Sequence, residues 1–259
     1  MIEQTKHIMF ELKWLGALKT LDQRLNEASS HGWGHADLLS ALVTDEKLYR
    51  DNHRITRRIK AANFRTHATL ERLDLTARRS ITKTLVRDLM QLNFIKGSPR
   101  NILIAGPTGV GKTYLATAIG EYACRSGHTC IFTGISVLIE KLMMTRADGT
   151  YLKLRDRLIK TDLLIIDDVG LKRLPPEIVT DLHDLLEERQ TKCTVITTQL
   201  PLRNWKEIIE DPLALDTIVD KLANGSLDIQ LTGESYRKKL RGRSPGLDSD
   251  SVPEEIAGL

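Results

Sequence analysis

The octapeptide Gly106-Pro107-Thr108-Gly109-Val110-Gly111-Lys112-Thr113 constrains this chain more than any other segment. It has the spacing GxxxxGK[ST], directly after the apolar run Asn101–Ala105 and directly before a stretch of helical periodicity. A glycine-rich turn between a buried strand and a helix is an anion-binding device. Glycines let the backbone wrap a phosphate, successive N–H groups point inward, and the helix N-terminus adds partial positive charge. Lys112 is placed to reach the β- and γ-phosphates of a nucleotide, and the Thr113 hydroxyl to hold Mg²⁺. Such a loop requires a parallel α/β sheet around it.

The rest of the second half supplies that sheet. Cys130 to Thr133, Asp162 to Ile166 and Cys193 to Thr198 read as further buried strands, and Leu227, Ile229 and Leu231 alternate as a fifth. Helices are expected from Tyr114 to Ser126, from Ser136 to Thr145, and from Pro176 to Gln190. In the last of these, Ile178, Leu182, Leu185 and Leu186 share one face. Lys141, Arg146, Lys153 and Arg155 flank Asp148-Gly149, which reads as a loop.

The third strand ends in two acids, Asp167 and Asp168. An acid at the end of an apolar strand downstream of a phosphate loop is placed to hold the Mg²⁺ water shell, the role expected of Asp167. Asp168 is placed to orient or deprotonate an attacking water. No NKxD guanine signature follows, so the expected cofactors are ATP and Mg²⁺.

The first hundred residues have a different character. Before Lys96-Gly97-Ser98-Pro99 the glycines are Gly16, Gly32 and Gly34, and there is no proline. Leucines recur at helical spacing at 12, 15, 18, 21 and 25, and again at 85, 89 and 92, while Asp37 is placed to cap a short helix through Ala41 and Val43. This gives an all-helical N-terminal domain of four or five helices over residues 1–98. An α/β domain follows over 99–243, and a Ser/Asp/Pro/Gly-rich tail over 244–259 is expected to be disordered.

Charge is uneven. Residues 50–100 carry 13 basic and 4 acidic side chains, whereas the whole chain carries a net charge of only +4. Arg50, Arg54, Arg57, Arg58, Lys60 and Arg65 fall in one predicted helix, with 50, 54, 57 and 58 on one face. Rows of Arg and Lys suit duplex DNA phosphates. The scarcity of interleaved aromatics disfavours a single-strand stacking platform. No apolar run approaches the ~20 residues that span a bilayer. Scattered cysteines at 124, 130 and 193 and seven histidines without ligand spacing argue against disulfides and zinc. A cytosolic protein with no membrane partner is expected.

On these motifs the chain resembles the IstB family, the ATP-binding helpers of insertion-sequence transposition, related to the helicase loader DnaC within the AAA+ class. The likeness rests on Gly106–Thr113, Leu163–Asp168, Val195-Ile-Thr-Thr-Gln-Leu-Pro201 followed by Trp205, Asp211-Pro212, and Gly233-Glu-Ser-Tyr-Arg237-Lys238. It extends to Tyr49-Arg-Asp-Asn-His-Arg54 in the basic region and runs from about residue 10 to residue 240.

The resemblance implies an AAA+ P-loop fold with a five-stranded parallel sheet behind the helical domain. It implies an ATPase that oligomerises with copies of itself on double-stranded DNA and assists a cognate transposase. Thr198 or Gln199 would sense the γ-phosphate, and Arg237 would reach the nucleotide as a second sensor. The family often has Asp-Arg-Leu where this chain reads Asp220-Lys221-Leu222. Lysine lacks the planar fork of arginine. Lys221, Arg189 or Arg203 would therefore reach a neighbouring subunit's ATP, or hydrolysis would be slow and ATP would mainly hold subunits together. A replicative helicase loader of DnaC type is the alternative function. A small-molecule phosphotransferase and a σ-factor-dependent activator fit less well.

Overall fold

The strand Asn101–Ala105 (β1) is central because both of its faces are apolar. A computed structural model describes residues 2–73, 80–97, 101–223 and 225–233. In it β1 pairs in parallel with Cys193–Thr198 (β4) on one side and Ser226–Gln230 (β5) on the other. Leu163–Val169 (β3) continues the sheet from β4, and Cys130–Gly134 (β2) forms the far edge, giving the order β2-β3-β4-β1-β5. All five strands are parallel, so helical crossovers cover both faces, and β1 and the first half of β3 read as aliphatic runs while β4 is wholly buried.

Alternate side chains divide between two cores. Ile102, Ile104, Ile165 and Val195 face one layer. Leu103, Leu164, Ile166 and Ile196 face the other. The first layer is built on α6 (Lys112–Arg125), which is buried on nearly all sides. Gly120 makes this possible, since a Cβ there would lie 2.6 Å from Phe64 Cε1 and 2.8 Å from Ile165 Cδ1. The second layer holds α7 (Ile135–Ala147), α8 (Tyr151–Lys160), α9 (Pro176–Glu188) and α10 (Pro212–Ala223).

The N-terminal part contains α1 (Ile2–Glu11), α2 (Leu15–His31), α3 (His35–Ala62), α4 (Lys83–Met90) and α5 (Asn93–Lys96) among the described residues. The short helix expected after Asp37 is instead the start of a 28-residue helix. Asp37 sits in its first turn, its carboxylate accepting the Gly34 N–H at 3.1 Å. At 1.5 Å per residue α3 is about 42 Å long, and it absorbs most of the basic segment.

α2 and α3 cross at Gly16, where a Cβ would lie 2.4 Å from Tyr49 Cβ. Trp14 precedes α2 and offers no cap. The buried carboxylate of Glu46, from α3, takes that role by accepting the N–H groups of Gly16 (2.7 Å) and Ala17 (3.2 Å). Burial alone would raise the Glu46 pKa. Arg50 and these two N–H groups outweigh it and hold the carboxyl below its usual range.

Ala62, Ala68, Leu70, Leu89, Phe94 and Ile95 lie in the same core as Ile102 and Ile165. The end of α3 and all of α4 and α5 therefore pack as part of the sheet's cover, while Met9, Ala17 and Leu21 form a separate small cluster under α1 and α2. Asp148-Gly149 is a tight turn rather than a long loop. Asp148 Oδ1 accepts the Thr150 N–H at 2.9 Å, and Lys153 and Arg155 lie in α8. The expected tail over 244–259 lies outside the described residues.

Candidate nucleotide site

The site forms where β1, β3 and β4 end, the end at which open parallel sheets bind ligands. The chain leaves β1 through Gly106, whose N–H donates to the Thr198 carbonyl at 3.2 Å. Gly106 has φ +153°, and a Cβ there would sit 2.3 Å from the Leu231 carbonyl oxygen. Only glycine fits between β1 and the end of β5. Gly109 and Gly111 have φ of +84° and +102°, the left-handed region that favours glycine. Gly111 then caps α6, so the loop delivers its N–H groups at the helix N-terminus. Pro107, Thr108 and Val110 fill the remaining loop positions, with Val110 buried. The Lys112 ammonium, itself buried, donates to the carbonyls of Gly106 (2.8 Å) and Pro107 (2.9 Å), within the loop it is expected to serve.

Asp167 is fully buried at the end of β3. Its carboxylate accepts the Thr113 hydroxyl at 3.0 and 3.1 Å and the Thr197 hydroxyl at 2.6 Å. Burial raises its pKa. Thr197 opposes the rise, the neighbouring Asp168 adds to it, and Thr113 and Arg65 oppose it. The pair Thr113–Asp167 brings a hydroxyl and a carboxylate to one point beside the loop, a hard oxygen donor set of the kind Mg²⁺ takes. The two residues named as metal holders from sequence are thus in direct contact.

Asp168 has φ +61°, at an irregularity where the β3–β4 register shifts between Ile166 and Val169. A left-handed non-glycine residue at a strand end is a strained, re-aimed position. The Asp168 N–H donates to Thr197 Oγ1 at 2.9 Å. Thr197 therefore binds both acids. Sequence reasoning passed over it in favour of its neighbour. The missed signal was a fully buried threonine in β4, level with the strand end that carries the acids.

Thr198 and Gln199 play different parts. The Thr198 hydroxyl is turned to the chain after β4, donating to the Leu200 carbonyl (3.0 Å) and accepting the Leu200 N–H (3.1 Å). Gln199 Oε1 accepts the Thr108 hydroxyl at 2.8 Å, joining the strand end to the phosphate loop. Of the two sensor candidates, Gln199 faces the loop.

The candidates for a trans-acting cation separate similarly. Arg189 is buried, with its guanidinium donating to the carbonyls of Leu158, Ile159, Thr161 and Cys193 and to Thr194 Oγ1. Burial lowers its pKa to about 10. Arg189 is an internal clamp between α8, α9 and β4 and cannot reach another subunit. Lys221 pairs with Glu187 on α9 and lies 3.5 Å from His183 Nε2. Arg203 is exposed in a 3-10 turn. Arg237 and the motif from Glu234 to Lys238 lie outside the described residues.

The predicted DNA-binding residues are not one row. Arg50, Arg54 and Arg57 are exposed on α3, with Arg50 also bound to Glu46 (2.6 Å) and Arg54 to Asp51 (3.4 Å). Arg58 is partly buried and acts electrostatically on Cys124 and His128, so it faces the α6 side. Lys60 faces a cleft beside β2. Arg65, just past the helix, carries its guanidinium to the nucleotide end of the sheet. Its Nη2 lies 2.5 Å from where a Gly134 Cβ would be, and its charge is felt by Asp167.

Phosphate loop, acid pair and strand order together define an AAA+ P-loop protein. The family model for IstB-like ATP binding proteins matches residues 8–244, and the chain belongs to that family. An insertion sequence ATP-binding protein of Sinorhizobium fredii is 34% identical over 230 residues, covering 88% of this chain and 94% of that one. A second, from an insertion sequence of Mycobacterium tuberculosis, is 31% identical over 232 residues, covering 89% and 92%. Among solved structures, DnaI superposes with a TM-score of 0.54 at 18% identity, covering 64% of this chain and 92% of that chain, a likeness of fold. No helix among the described residues is long and apolar enough to cross a membrane.

Proposed function

We propose that this protein is an ATP-dependent, DNA-binding AAA+ ATPase of the cytoplasm. It assembles with copies of itself on duplex DNA and presents that DNA to a transposase encoded with it. The observation that carries the reading is the placement of α3. One rigid helix exposes Arg50, Arg54 and Arg57, while its C-terminal end packs against α6 and β2, the elements that open and flank the nucleotide site. A helix held on DNA phosphates is thereby joined to the site that binds ATP.

Within the site each residue has a definite task. The N–H groups of Gly109 to Thr113 and the Lys112 ammonium bind the phosphates. The Thr113 hydroxyl and Asp167 carboxylate would hold Mg²⁺, with Thr197 fixing the carboxylate. The ion, when bound, supplies charge neutralisation on the β- and γ-phosphates. Asp168, turned out of the strand, orients the attacking water and takes its proton, and Gln199 reads the γ-phosphate through its link to Thr108. Lys221, held against α9 by Glu187, and the exposed Arg203 are the cations left to complete a neighbour's site, and Arg237 acts as a second sensor. Their support is the family resemblance, together with the enclosure of Arg189.

The test pairs two variants. Lys112→Ala should lose ATP binding and ATP-stimulated assembly while keeping ATP-independent DNA affinity. Combined replacement of Arg54 and Arg57 by Gln should weaken duplex binding and keep ATP binding. Normal ATP-driven assembly by Lys112→Ala would refute the site. Tight binding to a hexameric helicase, with preference for single strands, would move the protein to the loader class.

A further inference from the structure

Beside the free edge of the sheet lies a cleft of about 410 Å³. Its walls come from the end of α3, from β2, and from α7 and α8, and three cations open onto it: Lys60, Lys141 and Arg157. Among the described residues no aspartate or glutamate lines it. None of the three cations has a carboxylate partner among the described residues. Three other cations of α7 and α8 are paired: Arg146 with Asp181, Arg155 with Glu188 and Lys160 with Asp156. Ion pairing therefore consumes Arg146, Arg155 and Lys160, while the three cations that open onto the cleft are left without a carboxylate. Asn63 and Thr133 add polar groups, and among the described residues β2 pairs only with β3, so its other backbone edge borders the cleft.

We propose that this cleft is a binding site for the phosphodiester backbone of duplex DNA. It would receive successive phosphates of a strand that first meets Arg50, Arg54 and Arg57 on α3. Three unpaired cations from three elements, converging without an acid, are a site for a polyanion. Lys60 lies one helical turn beyond Arg57, so the exposed cations of α3 lead into the cleft without a break in charge. The site extends the DNA contact from the N-terminal helix onto the ATPase body, where α7 and α8 rest on the sheet. This inference rests on the duplex-binding reading above.

The test is the salt dependence of duplex affinity for the full-length protein with ATP, comparing wild type with the double variant Lys141→Gln/Arg157→Gln. Each phosphate contact contributes a slope of about −0.9 in log K against log salt. Loss of two should make the slope shallower by roughly 1.8, with ATP affinity and melting temperature unchanged, because both side chains are exposed. Wild-type duplex binding with an unchanged slope in the variant would overturn the cleft and leave the general reading standing. Tripolyphosphate bound by wild type and not by the variant, with the duplex slope unchanged, would assign the cleft to a free polyphosphate instead. No duplex binding by wild type would remove both proposals.

Discussion

Asp167→Asn should make the nucleotide-free protein more stable while disabling it. Asp167 is fully buried, and its pKa is raised chiefly by that burial and also by Asp168. Its ionised form is therefore costly without a bound cation. Thr113 and Thr197 both reach Oδ1, at 3.0 and 2.6 Å, so an asparagine oxygen can accept from both. The substitution removes the charge and keeps those bonds. Active-site replacements of this kind stabilise by about 0.5–2 kcal/mol, or roughly 1–8 °C for a chain of this size.

The pH dependence has a definite sign. A carboxyl whose pKa rises on folding binds more protons in the folded state, so stability falls as pH climbs from 3.8 through the raised value. The variant's advantage should be fully present at neutral pH. It should shrink on acidification through that range, where wild-type Asp167 becomes protonated. Thermal melts of both proteins across pH, without nucleotide and with Mg²⁺–ATP, provide the assay. Ligand stabilisation should appear in wild type only. A variant less stable than wild type at neutral pH would refute the picture of a buried charge awaiting a cation.

Thr197→Val keeps the side-chain shape but strips one hydrogen bond from Asp167 and orphans the Asp168 N–H. The expected loss is about 10–100-fold in Mg²⁺-dependent ATP affinity or turnover, read by nucleotide titration. Thr198→Val, whose hydroxyl faces Leu200, should leave ATP affinity nearly unchanged and lower the melting temperature. Gly106→Ala, with its Cβ 2.3 Å from the Leu231 carbonyl, should abolish ATP binding by forcing β1 and the end of β5 apart, visible as lost ligand-induced thermal stabilisation. Arg189→Met should cost about 3–5 kcal/mol by orphaning several buried carbonyls, and denaturant melts would read that loss.

Much of this site could be read in the sequence, because phosphate loops and acid-tipped strands place chemistry at fixed offsets. Gly106 to Thr113 fixed the loop, and the aliphatic run before Asp167 fixed the strand that carries the acid. What periodicity could not show was tertiary choice. Asp37 caps a helix, but nothing local said that the helix would continue to Ala62. Continuity came from the absence of a breaker and from packing of its end against α6. Arg58, Lys60 and Arg65 share a basic run with Arg50, Arg54 and Arg57, and sequence charge cannot tell solvent from a sheet edge. The fold sends Arg58 toward His128, Lys60 to a cleft and Arg65 to the nucleotide end. Arg189 offered the same ambiguity: an arginine after a helix reads as a reaching side chain until the carbonyls around it are seen. α8 was hidden by Asp148-Gly149, a tight turn whose residue types also suit a longer loop.

The central claim is that ATP binding drives assembly on duplex DNA. Particle mass of the purified protein, measured with and without ATP on duplex and on single-stranded DNA, tests it most directly. The account predicts ATP-dependent multimers on duplex that are absent for Lys112→Ala. A species that stays small on duplex in the presence of bound ATP would contradict it.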